Sequence, residues 1–296
     1  MQFENLKFVE LAERNYPNQA VGIKSNGRYI SMQKENVRDE LIRELAGMES
    51  LLIAYSGGID STLLAVLAQK ALPEKVKCVL LDAPIVPRRA VCDAVKNAHR
   101  LGLSCEIMPF PVMENEEFRK NSPDRCYVCK KLSARMLRDH AEKLGIPNIA
   151  DGINASDLKE YRPGLKASIE EGIIHPFLSS GVQKPEIRQM AQDCGLEIWN
   201  KPSSSCLASR IPYGEEITPE KLQMIEKAEN FMQDLGFSQL RVRLYGKIAR
   251  IELLPDELER VVGIRHKIVE ALEGFGFSYI TLDLKGYRSG SMDEVL

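Results

Sequence analysis

Ser56-Gly57-Gly58-Ile59-Asp60-Ser61-Thr62 follows the apolar run Leu51-Leu52-Ile53-Ala54-Tyr55 and opens a segment whose apolar residues recur at helical spacing. Strand, glycine turn and helix start therefore come in that order. Gly57 and Gly58 let the backbone approach an anion closely, and the first N–H groups of the helix point at it. The hydroxyls of Ser56, Ser61 and Thr62 add donors, and Asp60 can hold a Mg²⁺ ion that bridges phosphates. No Gly-x-x-x-x-Gly-Lys-Ser/Thr pattern occurs, so the loop is not of the Walker type. The competing reading is a serine-rich N-cap after a strand. A strand, loop and helix built around a nucleotide phosphate accounts for more of these residues.

Downstream the pattern repeats. Strands are expected at 76–82, 104–108 and 148–151, and helices at 88–101 and 131–144. This alternation predicts an α/β fold with a parallel sheet over 46–213, ligands sitting at the strand carboxyl ends. A Pro- and Ser-rich loop ends near Tyr213-Gly214. Beyond it, 214–296 reads as a smaller C-terminal α+β domain. Its elements are a helix at 219–235 with Thr218 as N-cap, strands within 239–254, a helix at 255–272 and a strand at 278–284. Upstream, 1–45 reads as an N-terminal extension in which Ser25-Asn26-Gly27 makes the turn of a hairpin.

A chain of 296 residues has ample length for a core, and its net charge of −2 argues against a nucleic-acid binder held by backbone electrostatics. No apolar run approaches the roughly 18 residues of a membrane span. The seven cysteines are an odd number without a secretion signal, which points to a reducing, cytoplasmic compartment. Cys126 and Cys129 stand three apart, and Cys206 lies in a loop of small hydroxyl residues with Lys201 and Arg210 nearby in sequence. Three cysteines can hold three irons of a [4Fe–4S] cluster and leave the fourth open. A zinc site would need another ligand, such as His140 or His175, and neither has a recognisable partnered spacing. A Cys-x-x-Cys alone also fits a redox pair or two ordinary thiols at a helix start. Cys78, Cys92 and Cys105 read as small core residues, and Cys194 has no assigned role.

Ser56 to Thr62 resembles the PP-loop of the ATP pyrophosphatases. Further segments resemble one branch of that superfamily, the LarE-type sulfur transferases of nickel-pincer cofactor synthesis. They are 151–158, 206–214, Arg241-Val242-Arg243, 249–252 and 286–292. The resemblance implies a PP-loop domain followed by the α+β domain, and a reaction. ATP adenylates a carboxylate of pyridinium-3,5-biscarboxylic acid mononucleotide, and sulfur then displaces AMP to leave a thiocarboxylate. It implies ATP and Mg²⁺ at Ser56, Gly57, Gly58, Asp60, Ser61 and Thr62, with Asn154 near the adenosine. It further implies a [4Fe–4S] cluster on Cys126, Cys129 and Cys206, with Cys206 and Asp60 the catalytic candidates. Where the other two cysteines are missing, the family's counterpart of Cys206 gives up its own sulfur.

Arg241 and Arg243, two apart on an expected strand, share one side and can hold the substrate phosphate together, with Ser209 and Arg210 contributing. Glu229 and Glu252 match acidic residues that the family places near the sulfur site, where they can bind a divalent ion. A sulfide or other sulfur donor is implied as a partner, as is a homo-oligomer, trimer or hexamer. Rival readings are a cluster-dependent tRNA thiolation enzyme, a PP-loop amide-forming ligase and a nucleotide-binding regulatory module. The first predicts a basic RNA-binding surface, the second leaves the cysteines without a task, and the third predicts ATP binding without pyrophosphate release.

Overall fold

Leu51–Tyr55 forms β1, an interior strand whose Leu51, Leu52 and Ile53 are fully buried. In this computed structural model the described residues are 37–159, 163–202, 205–288 and 290–292, so the hairpin expected near Ser25-Asn26-Gly27 lies outside them. In chain order the helices are α1 (Val37–Ala46), α2 (Ile59–Ala71), α3 (Arg88–Arg100), α4 (Glu116–Arg119) and α5 (Arg125–Leu144). They continue with α6 (Pro163–Glu170), α7 (Pro176–Ser179), α8 (Lys184–Asp193), α9 (Pro219–Asp234), α10 (Leu258–Gly263) and α11 (Arg265–Gly274). The remaining strands are β2 (Val76–Asp82), β3 (Cys105–Pro109), β4 (Asn148–Ala150), β5 (Arg241–Tyr245), β6 (Ile248–Glu252) and β7 (Tyr279–Leu282).

The chain divides into two compact units, and the division is not a single cut at residue 213. Of the described residues, one unit takes those up to 81 together with those in 91–108 and 129–201; the other takes those in 82–90, in 109–128 and from 202 on. In the first, four strands lie in the order β3-β2-β1-β4, and β1 pairs in parallel with both β2 and β4. Strands buried on both faces need continuous apolar runs, which is how Leu51 to Tyr55 is written. One face is closed by Ala134, Leu137 and Ala141 of α5 against Leu52, Val79 and Ile149. The helix α1 packs on α2 through the fully buried Leu41 and Leu45, so this part of the expected extension belongs to the core.

The second unit holds a sheet ordered β5-β6-β7, antiparallel between β5 and β6 and parallel between β6 and β7. Thr218 caps α9, its Oγ1 accepting from Lys221 N at 3.3 Å, and α9 packs on β5. The long helix expected at 255–272 is broken at Gly263-Ile264 into α10 and α11. The helix expected from 131 starts six residues earlier, so Cys126 and Cys129 fall in its first turns rather than in a loop before it. No helix among the described residues is long and apolar enough to cross a membrane.

Candidate active site

The loop after β1 lies at the carboxyl end of a parallel strand, where open α/β sheets bind ligands. Gly58 is the N-cap of α2, and no side chain caps that helix end, which leaves first-turn N–H groups without a side-chain acceptor. Ser61 Oγ accepts from Ser56 N at 3.1 Å and lies 3.0 Å from Ser56 Oγ, closing the loop on itself. Thr62 is fully buried and donates instead to Tyr55 Oη at 3.5 Å. Burial pushes the Tyr55 phenol up to about 12, so it stays neutral. Two glycines are fixed by sterics here. Gly57 has φ +71° and a Cβ on it would overlap Ala94 of α3; a Cβ on Gly152 would fall 2.7 Å from Ser61 N.

Asp60, expected to serve a metal ion, receives Lys184 Nζ at 2.7 Å on Oδ1 and 2.5 Å on Oδ2. Asn154 Nδ2 approaches Oδ1 at 3.4 Å, so the structure brings Asn154 to the phosphate loop. Lys184 is absent from the residues picked out in the sequence, although a signal was there. It opens α8, where a cation opposes the helix macrodipole and is a poor choice without an anion to meet.

A second group missed in the sequence stands at the end of β4. Asp151, 4% exposed, accepts from Lys130 Nζ at 2.7 Å, from Ser168 Oγ at 3.2 Å and from Ile153 N at 3.1 Å. Its Oδ1 also lies 2.7 Å from Nδ1 of the fully buried His175. Burial alone would raise this carboxyl, but Lys130 and His175 outweigh it and hold Asp151 well below the usual carboxylate range. Asp151 thus ties the residue after Cys129 to the residue before Gly152.

In the other unit, the sequence residues around Cys206 do come together, as a buried polar network. Arg210, 2% exposed, donates through Nε and Nη2 to both oxygens of Glu229, at 2.9 and 3.0 Å. Its Nη1 gathers the Cys206 loop, reaching Ser205 O at 3.1 Å, Cys206 O at 3.0 Å and Ser209 Oγ at 2.9 Å. Arg243 repeats the pattern on the fully buried Glu252, at 3.1 and 2.9 Å, and its Nη1 reaches Ser209 O at 2.7 Å. These two residues are diagonal neighbours across the β5–β6 ladder, within reach of long side chains. Glu229 and Glu252, picked out for a divalent ion, are therefore each occupied by a guanidinium. Arg241 lies over the Tyr287 ring, 5.1 Å from its centroid. Burial first, and then the Arg210 charge, hold the Arg241 guanidinium below its ordinary value. Such a cluster of cations favours an anionic ligand.

Among the described residues, no three or more His, Cys, Asp or Glu side chains stand as a metal-holding group. Cys126 and Cys129 are one turn apart on α5, and Cys126 Sγ lies 3.9 Å from Arg125 Nη2. Cys78 is buried, and burial, reinforced by Cys105, pushes its thiol up to about 12, as suits a core residue. Cys92, expected in the core, is exposed on α3.

The chain matches the NAD synthase family over residues 29–142. It is 40% identical over 260 residues to an uncharacterized protein of Synechocystis sp., across 87% of this chain and 97% of that one. It is 33% identical over 257 residues to the pyridinium-3,5-bisthiocarboxylic acid mononucleotide synthase of Lactiplantibacillus plantarum, across 86% of this chain and 93% of that enzyme. A glutamine-hydrolyzing GMP synthase of Bdellovibrio bacteriovorus is 29% identical over 262 residues, which span 49% of its length.

Proposed function

The chain belongs to the LarE-type family of PP-loop enzymes, which use ATP, and on that premise we propose that it is a sulfur transferase acting on a pyridinium mononucleotide. ATP binds at Ser56 to Thr62, with Asn154 beside it; Asp60 would hold Mg²⁺, which would offset phosphate charge. Lys184, held on Asp60 at the loop, supplies a cation for the phosphates. A carboxylate oxygen of pyridinium-3,5-biscarboxylic acid mononucleotide attacks the α-phosphorus, and the bond to the bridging oxygen breaks with release of pyrophosphate. The loop donors and Lys184 stabilise the charge that builds on that leaving group. Sulfide attacks the acyl carbon, the carbon–oxygen bond to AMP breaks, and a thiocarboxylate remains.

The substrate phosphate is held by Arg241, which faces the same side of β5 as Arg243, with Ser209 in support. The sulfur centre is Cys126, Cys129 and Cys206. Its proposed donor set is three soft thiols, and that chemistry suits a [4Fe–4S] cluster. When bound, the cluster would supply iron to carry the attacking sulfide. The observation that carries the reading is the 33% identity, running through both the phosphate loop and the Cys206 segment, to a curated synthase of the bisthiocarboxylic acid mononucleotide.

Anaerobic incubation with ATP, Mg²⁺, sulfide and the biscarboxylic mononucleotide tests it. Pyrophosphate release should require the mononucleotide, and the product should show the mass change of oxygen replaced by sulfur. Activity with tRNA or ammonia in its place would move the chain to a rival reaction.

A further inference from the structure

Three arginines among the described residues are buried: Arg125, Arg210 and Arg243, at 4%, 2% and 5% exposure. A buried guanidinium is costly unless an anion answers it. Arg210 has Glu229 and Arg243 has Glu252, each through two nitrogens. Arg125 has no carboxylate partner among the described residues. Its Nη1 donates to Asn121 Oδ1 at 2.5 Å and to Ala208 O at 3.1 Å, both neutral, and its Nε is buried without a partner. One face lies over the Tyr213 ring, 5.2 Å from the centroid. Nη2 reaches Cys126 Sγ at 3.9 Å.

The position is built rather than incidental. Asn121 is fully buried at φ +55° and spends its Nδ2 on the carbonyls of Ile211, Pro212 and Glu215, at 3.2, 2.7 and 3.0 Å. Its Oδ1 is thereby aimed at Arg125. One asparagine thus fixes both the guanidinium at the start of α5 and the loop that runs on from Cys206. The charge so held lies against Cys126 Sγ through Nη2 and, through Ala208 O, against the loop that carries Cys206.

We propose that Arg125 is the resident counter-cation of an anionic sulfur centre on Cys126 and Cys206, a positioning residue that holds the two sulfurs to one site. This rests on the sulfur-transfer reading above and adds a residue to it. A cluster carried by thiolates is net negative, so a desolvated cation beside two of them stabilises its assembly and its reduced state.

The test is anaerobic reconstitution of the full chain as wild type, R125Q and R125K, with iron and sulfide content and the midpoint potential as readouts. R125Q should lose iron to a chelator roughly tenfold faster, the scale of a lost outer-shell partner, and titrate at a more negative potential. R125K keeps the charge and should recover most of the potential. Circular dichroism confirms that R125Q is folded; if it is not, a potential for R125K equal to wild type supports the assignment and a markedly more negative one overturns it. A folded R125Q that matches wild type in iron content and potential overturns the assignment alone. A wild-type chain that takes up no iron brings down the cluster reading, and this assignment with it. Weaker binding of the mononucleotide to R125Q with an unchanged cluster would give the guanidinium to the substrate instead.

Discussion

Lys184 and Asp60 illustrate how one residue can break a local rule for the sake of a site. A lysine in the first turn of a helix works against the macrodipole, and here a carboxylate from another helix takes up both its hydrogen-bond geometry and its charge. Replacing it removes the cation while leaving the aliphatic stem. Lys184→Met should lower the rate of pyrophosphate release about 100-fold, the scale of one lost charge-stabilising donor, with the circular dichroism spectrum unchanged. A near-wild-type rate would remove Lys184 from the reaction. Gly152 argues differently, since its contribution is the absence of a side chain. A methyl group there meets Ser61 N and the Asp60 backbone at the start of α2, and backbone has no rotamer through which to yield. Gly152→Ala should raise KM for ATP about tenfold, or ~1.4 kcal/mol, with a smaller change in kcat. An unchanged KM would show that the loop can shift at no cost.

At the scale of elements, a helix whose apolar face is buried still depends on its ends. Thr218 accepts from Lys221 N where α9 begins, and α9 carries Glu229, the anchor of Arg210. Thr218→Ala should cost ~1 kcal/mol of unfolding free energy, measured by urea, with KM for ATP unchanged. A loss below the error of the measurement would mean that packing alone fixes this helix end. The same cap was legible in the sequence, as were β1, the glycine loop, the alternating strands of the sheet and the two-residue spacing of Arg241 and Arg243. All of these are local patterns. The Lys130–Asp151–His175 group, the Asn121–Arg125 pair and the partners of Glu229 and Glu252 were not legible, because each joins residues that only the fold brings together. The start of α5 is not legible because Arg125 to Lys130 lacks an apolar period. The break at Gly263-Ile264 was overlooked because the apolar spacing runs on through it.

For the molecule as a whole, the buried charges decide how stability depends on acid. Asp151 titrates below its unfolded value near 3.9, so it contributes stability that is fully present above that value. This contribution is lost as the pH falls through the unfolded value toward the lower, folded one. Urea midpoints should therefore be level between pH 7 and about 5 and fall progressively below about 4. Asp151→Asn separates this group from the other carboxylates. At pH 7 it should lose roughly 2 kcal/mol, less than a fully buried pair would because Lys130 is partly exposed. Below pH 4 its midpoint should decline more gently than that of the wild type, since the variant has one fewer proton to take up on unfolding. Parallel acid limbs in the two proteins would mean that Lys130 and His175 do not hold this carboxylate ionised, and that the group at the end of β4 is tied together by hydrogen bonds without charge.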